Sequence, residues 1–554
     1  LFLAEEYFQK AIEIAPNNSG YLSNLGNNYA LMLDFDTALK YYFQALQISP
    51  DNLAIISQIG IIHLLTKNFE QGWKEFEASL TKSIAFENLK KGELYNGQPL
   101  QGKTILVYSE HGFGDILQFV RYIPLLKDLG SNIIFEFPKE LAELFFYSNG
   151  YYQPLIRGEA DYNNLNFDYY ISLLSLPQIF CTNLANIPNI APILSLNEDL
   201  VKTWKQKLST KRPKIGLVWA GNPYHPNDHN RSVPLEYFEL IFNNSNLDFY
   251  LLQKNFGLEK VETVKNRHQN VIDFGYELNS IEITASIILN MDLVITVDTM
   301  MAHLAGTLNV PTILLLPYLP DWRWLLDRDD SVWYKSITIL RQPAPGDWIS
   351  VLENLNNKLF FRFSKSDATQ KIKQLTDNFE YGKAIDLIKS TIEHSDEEKP
   401  HLLFELGKIL LHTKDYGGAI EIFRSILQIE NSYFDIYYHL GYSYHMLKEM
   451  DKATEFYLKT LEYHPFYVNA LNNLGLIYRD MEWFELAEEL FSKALRLNYF
   501  KSFLHNNLGT VYEALGKLQT AKKEFTIAVY INNKYVEGFM NLSNTEHYLG
   551  EFEN

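Results

Sequence analysis

The sequence predicts an α/β core flanked on both sides by an all-α solenoid, and three observations carry that prediction. A Leu-Gly pair returns every 34 residues towards the C-terminal end, and the same spacing returns near the N-terminal end. Between the two, short apolar strands alternate with amphipathic helices. The expected domains are helical repeats over 1–95, a first α/β lobe over 96–208, a second over 209–358 and further helical repeats over 359–554. A chain of 554 residues has ample length for several cores. Its net charge of −18 argues against nonspecific binding of nucleic acid or an anionic membrane, because both need a cationic surface. The single cysteine, Cys181, excludes an intrachain disulfide and a cysteine-based zinc site and points to a reducing, cytoplasmic setting. No apolar run approaches the ~18 residues of a transmembrane helix. Leu1 already stands inside one helical pattern and Asn554 inside another, so the sequence reads as a piece of a longer protein.

In the N-terminal repeats, Leu25-Gly26 and Ile59-Gly60 are 34 residues apart, with Tyr29, Ala38, Tyr42 and Ala45 in register and Pro16 and Pro50 closing their units. The first lobe then shows strands over 103–109, 132–137 and 167–172. Its first strand runs into Ser109, Glu110, His111, Gly112, Phe113, Gly114 and Asp115, ahead of an expected helix over 116–129. Glycines 112 and 114 free the backbone for a tight turn. Asp115 either faces a cleft at the strand's carboxyl end or simply caps the helix. Ser175, after the third strand, could border an acceptor.

A polar segment over 209–213 reads as the hinge to the second lobe, whose strands are expected over 214–219, 248–252, 292–297 and 311–316. The loop after the first of these holds Gly221, Asn222 and Arg231, ahead of a helix near Pro234, so a guanidinium and free N–H groups could share a diphosphate. Asp298, Thr299, Met300, Met301 and His303 follow the 292–297 strand and enter a helix over 302–308, which is the geometry of an anion site; the alternative is that Asp298 caps that helix. Trp322, Arg323 and Trp324 could stack on a base or sugar ring, or the tryptophans could be a buried pair. Asp327-Arg-Asp329 reads as a solvated acidic turn, and Pro226 between His225 and His229 removes the helix a metal-binding i, i+4 pair would need, so no metal is expected.

The C-terminal repeats carry Leu406-Gly407, Leu440-Gly441, Leu474-Gly475, Leu508-Gly509 and Leu542-Ser543, with Ala419, Ala453, Ala487 and Ala521 where two helices approach closely. A degenerate unit around Ala384 begins the array, giving about five and a half helix pairs from about residue 368. Both ends resemble tetratricopeptide-repeat proteins. Asn24, Asn473, Asn507 and Asn541 precede the repeated leucine on the concave side, and such an amide ladder either binds an extended peptide or is only the repeat consensus.

Residues 102–352 resemble the family-9 glycosyltransferases, the group that includes bacterial heptosyltransferases, through Gly112-Phe-Gly-Asp115, Asp298-Thr-Met-Met-Ala-His303 and Arg231 ahead of Val233-Pro234. The resemblance implies a GT-B core of two facing Rossmann-like lobes. It implies Asp115 as the base that activates an acceptor hydroxyl, and a donor site at Gly221, Asn222, Arg231, Asp298, Thr299, Met300, Met301 and His303. Gly112, Gly114, Ser175, Trp322 and Trp324 are the further acceptor or base contacts. The implied reaction is inversion without a metal, and the nucleotide-diphosphate sugar is a co-substrate with no other cofactor. The heptosyltransferase lipid-core signatures are not evident, so sugar and acceptor are not implied. Repeats around such a core, with Pro320-Asp-Trp-Arg-Trp324 and Gly346-Asp-Trp348, look like a bacterial class of repeat-bearing glycosyltransferases. The asparagine ladder resembles the O-GlcNAc transferase repeats, which implies a protein or peptide acceptor. The alternatives are a lipid-linked or surface glycan as acceptor, and a non-catalytic scaffold with a degenerate core.

Overall fold

The computed structural model describes residues 2–80, 92–110, 112–145, 151–159, 164–188, 194, 196–363, 367–392, 399–429, 434–465 and 467–550. Leu1, His111 and Asn554, named above, lie outside the described residues. The chain divides into two compact units, one of Leu1–Glu236 with Asn244–Arg341, the other of Tyr237–Asn243 with Gln342–Asn554. The N-terminal repeats therefore share a unit with the α/β core, and the boundary expected at 358 falls inside the helix Trp348–Phe363.

The first unit opens with the helix Phe2–Ile14 and two helix pairs, Ser19–Leu31 with Phe35–Ile48 and Leu53–Leu65 with Phe69–Ser79. Asn18, Asp34 and Asn52 cap three of them, each side-chain oxygen accepting from a backbone N–H of the first turn. Two parallel sheets follow. The first contains β1 (Glu93–Leu94), β2 (Thr104–Tyr108), β3 (Asn132–Phe137), β4 (Gln153–Ile156) and β5 (Tyr169–Ser172) in the order β1-β5-β2-β3-β4. The second contains β6 (Lys214–Val218), β7 (Asp248–Leu251), β8 (Val271–Asp273), β9 (Leu293–Val297), β10 (Thr312–Leu316) and β11 (Ile337–Arg341) in the order β11-β10-β9-β6-β7-β8. Every ladder is parallel. All five residues of β9 and of β10 are buried, as the continuous apolar runs require for strands covered on both faces. Chain order reverses between β2 and β5 and again between β6 and β9, and crevices at such switch points are where ligands of open α/β sheets sit.

The helix expected over 116–129 is instead Phe113–Phe119, a 3-10 turn Val120–Tyr122 and a second helix Ile123–Asp128. Pro124 has no N–H to donate back into the preceding turn, and the chain tightens there. The helix expected over 302–308 starts earlier, at Met300–Thr307.

In the second unit, Trp348–Phe363 precedes five helix pairs and a last helix, Val536–Leu549, matching the count read from the 34-residue spacing. Each repeat glycine lies against the aromatic ring sixteen residues on. A Cβ built on Gly407, Gly441, Gly475 or Gly509 would stand 2.5–2.8 Å from Phe423, Tyr457, Phe491 or Phe525, and Ala419, Ala453, Ala487 and Ala521 are fully buried beside those contacts. Gly475→Ala is expected to cost about 1–3 kcal/mol, the usual range for overpacking a filled core. Gly382→Ala, with nothing within 4 Å of the new methyl, should leave stability equal or slightly higher. Urea unfolding of the two variants checks the contrast.

Candidate functional site

The end of β6 is shaped by one side chain. Gln253 accepts from the Trp219 and Ala220 N–H groups at 3.1 and 3.0 Å and donates to the Ala220 carbonyl at 3.0 Å, turning the chain out of the sheet. Gly221 N–H then donates to Ser232 Oγ at 2.9 Å, and Ser232 donates to Asp228 at 3.0 Å. Arg231 ends the short helix Asp228–Arg231 and, as expected, stands ahead of a helical segment that begins just after Pro234, at Leu235–Phe238. Its Nε donates to Asp228 Oδ1 at 3.1 Å and its Nη1 to the Asp298 carbonyl at 2.9 Å, so the guanidinium spans the ends of β6 and β9. A Cβ at 221 would stand 2.6 Å from Arg231 Nη2 and 2.3 Å from Asp228 Oδ1, so any larger residue there would push the Arg231–Asp228 pair aside.

After β9, Thr299 caps the helix Met300–Thr307, its hydroxyl accepting from Met301 N–H at 3.3 Å. Asp298 is therefore not the cap. Its half-buried carboxyl is lifted to about 7, first by loss of water and then by the nearby Asp321 charge, against the pull of Arg323 and Arg231.

On the first lobe, Gly112 is the N-cap of Phe113–Phe119, and Asp115 Oδ2 accepts from the Gly112 N–H at 3.2 Å. Asp115 Oδ1 is ion-paired with Arg323 of the second lobe. Arg323 also donates to Asp321 at 2.8 Å and to the buried Gln118 Oε1 at 2.6 Å. Nearby, Gly114 lies against His303, where a Cβ would be 2.9 Å from the imidazole Cδ2. Arg121 Nη1 donates to the Trp333 carbonyl at 2.6 Å with its guanidinium 4.7 Å from the Tyr334 ring centre. The two lobes thus meet tightly along the helices Phe113–Phe119 and Met300–Thr307.

Beside this junction a cleft of about 930 Å³ runs along the carboxyl ends of the strands. Gly221, Asn222, Arg231, Thr299, Met300 and Met301 line it, and Asp298 is not among the lining residues. His303 is placed elsewhere. It is 6 % exposed, hydrogen-bonded at Nδ1 to Tyr334 Oη at 3.0 Å, and held well below the usual imidazole range by burial and by Arg323 and Arg121. An uncharged ring under Gly114 corrects the expectation of a histidine that steadies diphosphate charge. Trp322 and Trp324, at 2 and 1 % exposed, take the buried alternative and do not offer a face to a ligand. Ser175 lines a separate cavity of about 440 Å³ with Lys74, Glu77 and Gln178, away from the expected acceptor border.

Sequence reasoning missed Gln253, Lys254 and Ser280 on the second-lobe wall and Lys139 and Glu143 on the first. Their only signal was position within a few residues of a strand's carboxyl end. Asp327 is paired with Lys67 at 2.6 Å, in keeping with a surface turn. Taken together, the switch-point crevice can hold an anion between the Arg231 guanidinium and the first turn after Thr299, with a carboxylate, Asp115, at the adjoining lobe junction.

In the C-terminal repeats the amides form a ladder between neighbours: Asn507 Nδ2 donates to Asn472 Oδ1 and Asn541 Nδ2 to Asn506 Oδ1, both at 2.9 Å. Asn473 donates to Tyr457 Oη at 3.1 Å, and Asn24 is exposed in the N-terminal repeats. Each bond uses one of the two amide hydrogens, so the second donor of Asn507 and of Asn541 is not spent on it.

The tetratricopeptide-repeat family profile matches residues 434–466, 468–500 and 504–535. These segments are tetratricopeptide repeats. The chain is similar to Protein FlbA of Caulobacter vibrioides, 24 % identical over 306 residues that make up 50 % of this chain and 50 % of FlbA. It therefore spans about half the length of that curated relative. Among solved structures it is similar to MamA from Desulfovibrio magneticus RS-1, with 21 % identity, 31 % of this chain and 99 % of that one covered, and a TM-score of 0.29. A tetratricopeptide repeat protein from Parabacteroides merdae is similar at 18 % identity, covering 35 % of this chain and 75 % of that one, with a TM-score of 0.31. Among the described residues no helix is long and apolar enough to cross a membrane.

Proposed function

We propose that this protein is an inverting, metal-independent glycosyltransferase with a family-9-like GT-B core, moving a sugar from a nucleotide diphosphate to an acceptor hydroxyl on a protein recruited by the tetratricopeptide repeats. The observation that carries this reading is the cleft at the β6/β9 switch point, lined by Gly221, Arg231 and Thr299, with Asp115 on the opposing lobe. In the proposed step the acceptor proton passes to Asp115, the acceptor oxygen bonds to the anomeric carbon, and the carbon–oxygen bond to the diphosphate breaks with its electron pair on the leaving group. Charge gathers on the departing diphosphate, and in this reading Arg231 and the N–H groups of the first turn after Thr299, which line the cleft, take it up.

Thermal-shift screening against UDP-, GDP- and ADP-sugars tests the reading. A true donor at a hundredfold excess over its Kd should add about 2.7 kcal/mol of stability. Arg231→Ala should weaken that binding by about 10- to 100-fold, the worth of a charge-assisted hydrogen-bonded contact. Absence of any shift across the panel would sink the donor site.

A non-catalytic scaffold is the second reading. It is favoured by the repeats themselves, whose usual work is holding another protein, and by the engagement of Asp115 Oδ1 with Arg323. Donor hydrolysis separates the two, since a scaffold leaves every nucleotide sugar intact.

A further inference from the structure

We propose that Arg323 is the positioning residue for Asp115 and that the N-terminal repeats hold it in place through Trp73 and Trp322; the proposal rests on the transferase reading above. Three independent features fix this guanidinium. Its nitrogens are divided among Asp115, Asp321 Oδ1 at 2.8 Å and Gln118 Oε1 at 2.6 Å, which leaves one orientation of the fork. The turn that carries it is clamped from behind. Arg341, at the end of β11, donates to the Leu326 carbonyl at 2.6 Å and to the Leu325 carbonyl at 2.7 Å, and Leu325 itself is held at φ 52°, a left-handed conformation that a leucine does not adopt unforced. Finally, the guanidinium lies 4.4 Å from the centre of the Trp322 ring, and that ring meets the Trp73 indole edge-on at 5.2 Å.

Trp73 belongs to the last helix of the N-terminal repeats, Phe69–Ser79, where its own N–H donates to the Thr182 carbonyl at 2.7 Å. Phe76 of the same helix packs on Trp322 at 6.0 Å, and Lys67, in the turn before it, reaches Asp327 at 2.6 Å. One aromatic step therefore separates a repeat helix from the arginine that orients a first-lobe carboxylate. With Oδ1 pinned by Arg323, Asp115 presents Oδ2, steadied by the Gly112 N–H, as the oxygen that takes the acceptor proton.

The experiment measures kcat and KM for hydrolysis of UDP-, GDP- and ADP-glucose, and separately the affinity for UDP, GDP and ADP. For the sugar nucleotide that the unaltered protein cleaves, Arg323→Gln is expected to lower kcat about 100-fold, at the low end of what a misplaced general base forfeits, with KM and nucleotide affinity within about threefold. Arg323→Lys should recover about tenfold of that loss, because it restores the charge but not the fork. Trp73→Phe should lower kcat by a smaller factor and show no further loss on top of Arg323→Gln, as expected for members of one chain of contacts. An Arg323→Gln chain that turns over at the original rate, or one whose loss lies in nucleotide affinity, overturns the positioning role alone. A Trp73→Phe effect that multiplies with Arg323→Gln overturns the link to the repeats. If Arg323→Gln does not fold, the lysine variant reports instead, with kcat lowered at unchanged KM supporting the role and unchanged kcat overturning it. An unaltered protein that cleaves none of the sugars overturns the transferase reading and this proposal with it.

Discussion

Asp115→Asn is expected to lower turnover of the donor sugar by about 10²- to 10⁴-fold, the contribution of a positioned general base. The replacement is nearly isosteric and keeps an oxygen that can accept from Arg323. What it removes is the capacity to take a proton, and it turns an NH2 group towards the Gly112 N–H that the carboxylate now accepts. Losing that capping contact should cost about 1 kcal/mol of stability, so the protein should remain folded and should still bind the nucleotide. Measuring nucleoside diphosphate release alongside nucleotide affinity separates the two effects. Turnover at the original rate in the asparagine variant would remove Asp115 from the reaction.

A second large effect is expected from Asp298 and runs with pH. In the folded protein this carboxyl titrates near 7, against an ordinary value of 3.8, because burial and the Asp321 charge oppose its ionisation. Between about pH 4 and 7 the native state keeps a proton that the unfolded chain has lost. Stability therefore falls as pH rises through this window, and the full penalty is in place above about 7. At about 1.4 kcal/mol for each tenfold change in proton affinity, the ceiling is about 4 kcal/mol. Asp298→Asn, which mimics the protonated form, should match the original protein near pH 4 and exceed it increasingly towards pH 8. Denaturant midpoints of both proteins from pH 4 to 8 check this, and parallel curves would show that Asp298 ionises freely.

The parts of this molecule that could be read from its sequence are those built from local repetition. Spacing placed each repeated Leu-Gly pair on the first helix of a pair, and the degenerate unit around Ala384 is the helix pair Asp367–Asp377 and Tyr381–Ile392, with Ala384 fully buried. Apolar runs located β2, β3, β5, β6, β7, β9 and β10 to within a residue or two. The strands that escaped, β1, β4, β8 and β11, have two to five residues and carry polar or exposed positions, so no run of apolar residues marks them. The site divides in the same way. Gly221, Arg231 and Thr299 stand where a strand meets its ligand edge, and chain order is enough to find them. Arg323 is 208 residues from Asp115, and only the packing of one lobe on the other brings the two together. His303 failed for the complementary reason: its motif placed it correctly on the helix, but the glycine that covers it belongs to the other lobe.

The amide ladder of the C-terminal repeats has a consequence for how such an array can change in length. Asn507 reaches back to Asn472 and Asn541 to Asn506, the same step of 35 residues in a lattice that repeats every 34. Excising one whole unit between Asn472 and Asn541 would bring Asn541 opposite Asn472 with the same donor and acceptor facing each other, and duplicating a unit would do the same in reverse. The number of rungs is thus uncoupled from the fit between neighbours. Loss or gain of a unit between Asn472 and Asn541 would change the reach of the array while these amides keep a partner of the same kind, so its length can vary at this end without the joint having to be redesigned.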